Sequence, residues 1–196
     1  AGFVISNIGK SGFSEEDAES LLAEEPAAAK FVFPYLAGDD LLSMAEPRPV
    51  RSILDLGEMD IASAKKAIPI TMKRLRQVIK PAEENTDWHL FARRAKDLRA
   101  HFRENGWSGF FCTPETSTWH VVVRQQGCMV PSNSVVVFTA GTFSLFCCLQ
   151  SSIHEMWCRE FSSTLEDRLR YVASDCFETF PFPVNWMTDS ELEVAG

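Results

Sequence analysis

The chain has 196 residues, is 45% hydrophobic and carries a net charge of −8. That composition, with a mean hydropathy of −0.08, predicts a soluble globular protein and excludes a disordered one, and the length fits one domain with a substantial core or two very small ones. The acidic sum and pI near 5.0 have the wrong sign for a surface that is basic throughout. The acids are bunched at 15–25, 83–87 and 189–193, so a local basic face is still allowed.

In chain order, Phe3 to Ile8 alternates apolar and small or polar residues and is predicted as a strand. Ser14 then caps a helix with acids in its first turn, burying Ala18, Leu21 and Leu22 and ending at Pro26. Val50 to Leu56 reads as a strand ending at Gly57. Asp60 is the expected cap of a following helix, and Pro69 divides it from another that buries Met72, Leu75, Val78 and Ile79. Phe91, Ala95, Leu98 and Phe102 share one helical face, with Arg93, Arg94, Lys96, Arg99 and Arg103 crowding the others. Three strand candidates follow, Gly109 to Thr113, Trp119 to Arg124 and Ser134 to Thr139, spaced as antiparallel hairpins with Gly127 and Pro131 in the longer turn. Thr142 opens a helical pattern running, with room for a break, to about Phe161. Strands and helices come in blocks, which predicts an α+β fold: a mainly antiparallel sheet with hairpins, packed by several helices. One domain is expected over 1–196, with 184–196 disordered or the start of a linker.

A search for chemistry returns little. The six cysteines show no CxxC spacing and no paired histidines, so no metal site is expected. Reduced thiols in a cytoplasmic protein are the expectation, and no secretory signal precedes the first strand pattern. The apolar run 134–149, about 16 residues with polar interruptions, is short of the roughly 20 a spanning helix needs, so no membrane partner is expected. His154-Glu155 begins an HExxH motif, but Cys158 stands where the second histidine must be. Cys112 and His120, on neighbouring strand candidates, are a nucleophile–base pair only by chance association. No GxGxxG or GxxxxGK[ST] phosphate loop occurs. The Asn-Pro-Pro-aromatic tetrapeptide, a Pro-Asp pair and Glu-x-Lys are absent too. No catalytic residues are assigned.

Two strings stand out, Phe33-Pro34-Tyr35-Leu36-Ala37-Gly38-Asp39-Asp40 and, after Arg170-Tyr171, Cys176-Phe177-Glu178-Thr179-Phe180-Pro181-Phe182-Pro183. Between them lie Arg51 to Leu56, Val78-Ile79-Lys80-Pro81, and Leu149 to Trp157, which is similar to an LxSxxHExW pattern. In this order the strings resemble the target recognition domain of MmeI-like restriction–modification enzymes, which methylate adenine in DNA. The resemblance runs from the first strand to Pro183. It implies a non-catalytic DNA sequence-recognition domain that binds no cofactor. The parent would be a S-adenosylmethionine-dependent adenine methyltransferase, with or without endonuclease activity, and base flipping would accompany its chemistry. The implied partners are double-stranded DNA and a catalytic methyltransferase domain of the same parent chain. The absence of an initiator methionine and the acidic tail fit an excised fragment.

Base reading needs donors and acceptors at groove edges. The densest cluster lies between apolar strands: Glu115, Thr116, Ser117, Thr118 and His120, followed by Arg124. These residues and the pair Arg170 and Tyr171 are the DNA-binding candidates, and the hairpin tip 116–120 is expected to project into solvent. Lys80, Arg93 and Arg94 are the phosphate-contact candidates. The two aromatic strings are expected to pack and turn the chain, their prolines fixing extended connections. Glu115 and Thr118 stand where the resembled family carries Arg and Lys, and acids follow Lys80-Pro81. That departure, with the acidic balance, leaves a protein-interaction or scaffolding domain of the same fold as the alternative.

Overall fold

The structure, a computed structural model, describes residues 3–5, 15–42, 47–79, 96–106, 109–162, 164, 165 and 168–196. The chain, expected as one domain, divides into two compact units: 1–35 with 49–96, and 36–48 with 97–196.

In the first unit β3 (Arg51–Leu54) pairs antiparallel with both β1 (Phe3–Ile5) and β2 (Val32–Leu36). α1 (Glu15–Glu24) ends before Pro26, which opens a 3-10 turn instead of another helical turn. α2 (Ile61–Ala67) is capped by Asp60, whose Oδ1 accepts from Ala62 N and Ser63 N at 2.9 Å each, as expected. α3 (Pro69–Ile79) begins at the dividing proline. Its N-terminus is satisfied from far along the chain. Glu25, 7% exposed, accepts from Ile70 N at 3.2 Å, Thr71 N at 2.8 Å and Thr71 Oγ1 at 2.6 Å. The core here is Ala28, Leu54, Leu56, Ala64, Ile68, Met72 and Leu75. The expected cap Ser14 and residues 6–8 lie outside the described residues, as do the side chains of Val78 and Ile79.

The second unit is built on β4 (Phe110–Pro114), preceded by α4 (Lys96–Asn105). Every β4 residue is buried, because its two faces serve two cores. Phe111 packs with Leu145, Leu149, Cys158 and Tyr171, while Phe110 and Cys112 pack with Leu36, Phe102 and Met129. An apolar run without alternation is what a strand covered on both faces requires. Leu98 and Phe102 carry the α4 face, whereas Phe91 and Ala95 lie outside the described residues.

The strands after β4 depart from the hairpins expected. β5 (Thr116–Ser117) leaves β4 after one residue and forms no hairpin with it. The strand predicted from Trp119 shrinks to β6 (Val123–Gln125), and β7 (Val130–Pro131) follows. β8 (Val135–Phe138) then returns, so the sheet order is β6-β4-β8, all antiparallel. The helical pattern splits into α5 (Phe143–Gln150) and α6 (Ser152–Phe161). Ser151 makes the break, accepting His154 N at 3.1 Å and donating to Cys148 O at 2.7 Å. A second small sheet, β5-β10-β9, uses β9 (Thr164–Leu165) and β10 (Arg168–Arg170).

The aromatic strings do pack and turn the chain. Gly38 brings its N–H to Ser134 Oγ at 3.0 Å, and a Cβ there would lie 2.8 Å from Ser134 O, so only glycine fits. Asp40, 2% exposed, closes the turn by accepting Ala37 N at 2.8 Å. After the short helix α7 (Ala173–Cys176), Phe180 stacks edge-on to His154 at 4.5 Å and to Phe182 at 4.9 Å. Residues 184–196, expected as disordered or linker, instead include α8 (Ser190–Ala195). Asp189 caps it, and Glu193 reaches back to accept Ser144 N at 2.7 Å, an acid at the N-terminus of α5. The cap is local, and the Glu193 contact ties the segment to α5.

Candidate functional site

β10 organises the site. Its residues run exposed, buried, exposed: Arg168 out, Leu169 in, Arg170 out. Pairing with β5 sets Leu169 opposite Ser117 and Arg170 opposite Thr116, and Glu115 O accepts Tyr171 N at 2.7 Å to continue the ladder. Side chains alternate across a strand, so Leu169 and Ser117 share the inner face while Thr116 and Arg170 share the outer one. One step further Arg168, also exposed, follows on that outer face, and Thr118, in the bend after β5, is exposed. At the other end Arg170 Nη2 lies 3.3 Å from Glu115 Oε1, with the two side chains 52% and 33% exposed. The outer face of this ribbon thus carries two guanidiniums, one hydroxyl and, through its pairing with Arg170, the Glu115 carboxylate.

The loop leaving β5 is held at every step. Ser117 Oγ accepts Trp119 N at 3.0 Å, and Arg159 Nη2 donates to Thr118 O at 3.3 Å. The His120 ring donates from Nε2 to Leu149 O at 2.7 Å, and Gln150 Oε1 accepts Val122 N at 2.8 Å. Trp119, between these anchors, is 72% exposed.

The sequence candidates therefore separate. Glu115, Thr116 and Arg170 come together on the outer face, and Thr118 is exposed in the bend that follows. Ser117, expected in solvent, is 5% exposed, because the register with β10 turns it inward. Tyr171, expected to touch DNA, is 2% exposed and is a core residue. Its hydroxyl meets His154 Nε2 at 3.0 Å and its ring packs edge-on to Phe138. His120 is half-buried and anchors the loop. Arg124 belongs to the β4 sheet, exposed, with its guanidinium 5.5 Å from the Phe143 ring centre. Lys80, Arg93 and Arg94 lie outside the described residues. Arg168 was missed, although the Arg-Leu-Arg alternation before Tyr171 is a strand signature that could have found it.

Beneath the ribbon sits a polar cluster that does no visible chemistry. His154 is fully buried, and burial followed by the neighbouring His120 ring pushes its pKa down to about 4, so it is neutral at ordinary pH. Burial pushes the Tyr171 phenol up. Cys112, weighed above as a nucleophile, is fully buried and its thiol is pushed up to about 12, with Sγ 3.6 Å from Val123 O. Cys158, in the position of the missing second histidine, is likewise fully buried, and the neighbouring Cys176 thiol together with burial pushes its own thiol up. Among the described residues no group of three His, Cys, Asp or Glu is placed to hold a metal. No helix among them is long and apolar enough to cross a membrane.

The family model described as MmeI, target recognition domain, matches residues 2–184. The chain belongs to that family. Its fold is also similar to the solved structure of the Type IIL restriction–modification enzyme MmeI in complex with DNA, with a TM-score of 0.64 and 22% identity. That likeness covers 92% of this chain and 23% of the MmeI chain, so this target recognition domain spans about a quarter of that protein's length. No curated protein sequence matches it.

Proposed function

We propose that this target recognition domain reads base sequence in double-stranded DNA for a restriction–modification protein, through the outer face of the β5–β10 ribbon. Family membership supports the reading, and one observation carries the assignment of the face: Arg168 and Arg170 alternate outward across the buried Leu169, with Thr116 paired opposite Arg170. The major groove admits a two-stranded ribbon and offers a donor and acceptor pattern distinct for each base pair. A guanidinium donates to guanine O6 and N7, and a carboxylate accepts from the cytosine amine. The Glu115–Arg170 pair thus holds both functions a C·G pair requires. Opening an ion pair this exposed costs only about 0.2–1 kcal/mol, so DNA can compete for both partners.

Lys80, Arg93, Arg94 and Arg124 fit the sequence-independent contacts that fix the duplex in place. Catalysis is assigned to a separate methyltransferase domain of the same parent chain, which would use S-adenosylmethionine to modify a flipped-out adenine. This domain takes no cofactor, and the whole works in the cytoplasm. The net charge of −8 favours a second reading, a scaffolding domain of the same fold.

Selection of bound duplexes from a random-sequence pool, using the full-length protein, tests the proposal. A consensus should emerge, and Arg170→Ala and Glu115→Ala should each relax it at the same base pair, losing roughly 5- to 150-fold in preference there. A pool without consensus, or one that both variants leave unchanged, refutes the assignment.

A further inference from the structure

Trp119, two residues beyond the ribbon strand β5, is an exposed residue that recognition by hydrogen bonding leaves unexplained. The residue is 72% exposed, which leaves a large apolar surface in water. Yet its backbone is among the better-anchored stretches of the unit. Ser117 Oγ holds its own N–H, Arg159 holds the carbonyl before it, and the next residue, His120, is tied through its ring to Leu149 O. An aromatic displayed on a pinned loop loses little conformational freedom when something covers it. The loop follows directly from β5, the strand that pairs with the one carrying Arg168 and Arg170.

We infer that Trp119 is an aromatic contact residue that packs its ring against a base step at the edge of the sequence read by the ribbon. The inference rests on the DNA-recognition reading and deepens it. A ring inserted at a step stacks on a base face that the unstacking exposes, and any base offers one, so such a contact adds affinity without choosing a base. Apolar side chains inserted at base steps also unstack and kink the duplex, which brings more of it against the protein. The division of labour is physical. Arg170 and Glu115 discriminate by donors and acceptors, and Trp119 supplies apolar contact that neutralises no phosphate.

The test is a salt titration of duplex binding by the full-length protein, probed with 30-base-pair duplexes carrying the selected consensus, or random sequence if no consensus emerges. Trp119→Ala should weaken binding at least about fivefold, the lower end for loss of one base–aromatic stack. The slope of log affinity against log salt should stay unchanged, because no counterion-releasing contact is lost. Trp119→Phe should restore most of the affinity, and the melting temperature of Trp119→Ala should match wild type. Trp119→Ala binding like wild type, while Arg170→Ala binds less well, would overturn the aromatic contact and leave the recognition reading standing. A lowered melting temperature with unchanged DNA affinity would overturn it in favour of a protein surface that covers Trp119 together with the exposed Ile153 and Met156. A wild-type protein that binds no duplex would remove the recognition reading itself, and this inference with it.

Discussion

Replacing Glu25 by alanine should destabilise the first unit by about 3 kcal/mol, though Glu25 lies 45 residues from the helix it supports. Its carboxylate is 7% exposed and accepts three hydrogen bonds, from Ile70 N, Thr71 N and Thr71 Oγ1. The first two are donors of the opening turn of α3, which have no partner within the helix. Thr71 is fully buried, so its hydroxyl has no direct route to solvent once the acceptor is gone. Each buried donor left without an acceptor costs roughly 1–3 kcal/mol, and loss of a cap alone costs about 0.5–2 kcal/mol. Favourable interaction of the negative charge with the helix N-terminus adds up to about 2 kcal/mol in partly buried geometry. Relief of the carboxylate's own desolvation and entry of water offset part of the sum, which leaves a value near 3 kcal/mol. Glu25→Gln keeps an acceptor but not the charge, and should cost about 1 kcal/mol, since charge-assisted bonds are about twice as strong as neutral ones. Urea unfolding followed by circular dichroism measures both. Thr71→Val closes a double-mutant cycle in which a coupling of roughly 1–2 kcal/mol is expected. A Glu25→Ala protein that unfolds at the wild-type midpoint, or strictly additive effects with Thr71→Val, would refute the long-range cap.

Two further outcomes concern the second unit. His154 has its folded pKa lowered to about 4 from 6.5, so as pH falls the unfolded chain takes up the proton first. Its contribution is intact above pH 6.5 and is lost progressively down to pH 4, amounting to about 2 kcal/mol by pH 5 at 1.36 kcal/mol per unit. Urea midpoints between pH 7 and 5 should fall for wild type and stay flatter for His154→Gln; parallel curves would refute the assignment. Phe180→Ala should cost roughly 3–5 kcal/mol, because the ring is 8% exposed and packs edge-on to His154 and Phe182. Thermal melting of that variant like wild type would show that the Cys176–Pro183 string is not an anchor.

Much of this architecture is local and therefore written in the chain. Asp60 before an apolar-periodic run, Pro69 between two helices and the unalternating Phe110-Phe111-Cys112 each call up one structure from neighbouring residues alone. The aromatic strings disclosed the family for a similar reason: close backbone approach at Gly38 and ring packing at Phe180 tolerate few residues. Which face of the site meets solvent was not local. A strand's side chains change sides with every residue, so the register of β5 on β10, between segments more than 50 residues apart, decides the parity of both. That register turned Ser117 and Tyr171 into the core and Arg168 outward, against a reading that treated the polar cluster as one exposed tip. The same holds for Glu25 on α3 and Glu193 on α5. A carboxylate becomes a helix cap only when tertiary packing delivers it to unpaired N–H groups, and no pattern within its own segment marks it in advance.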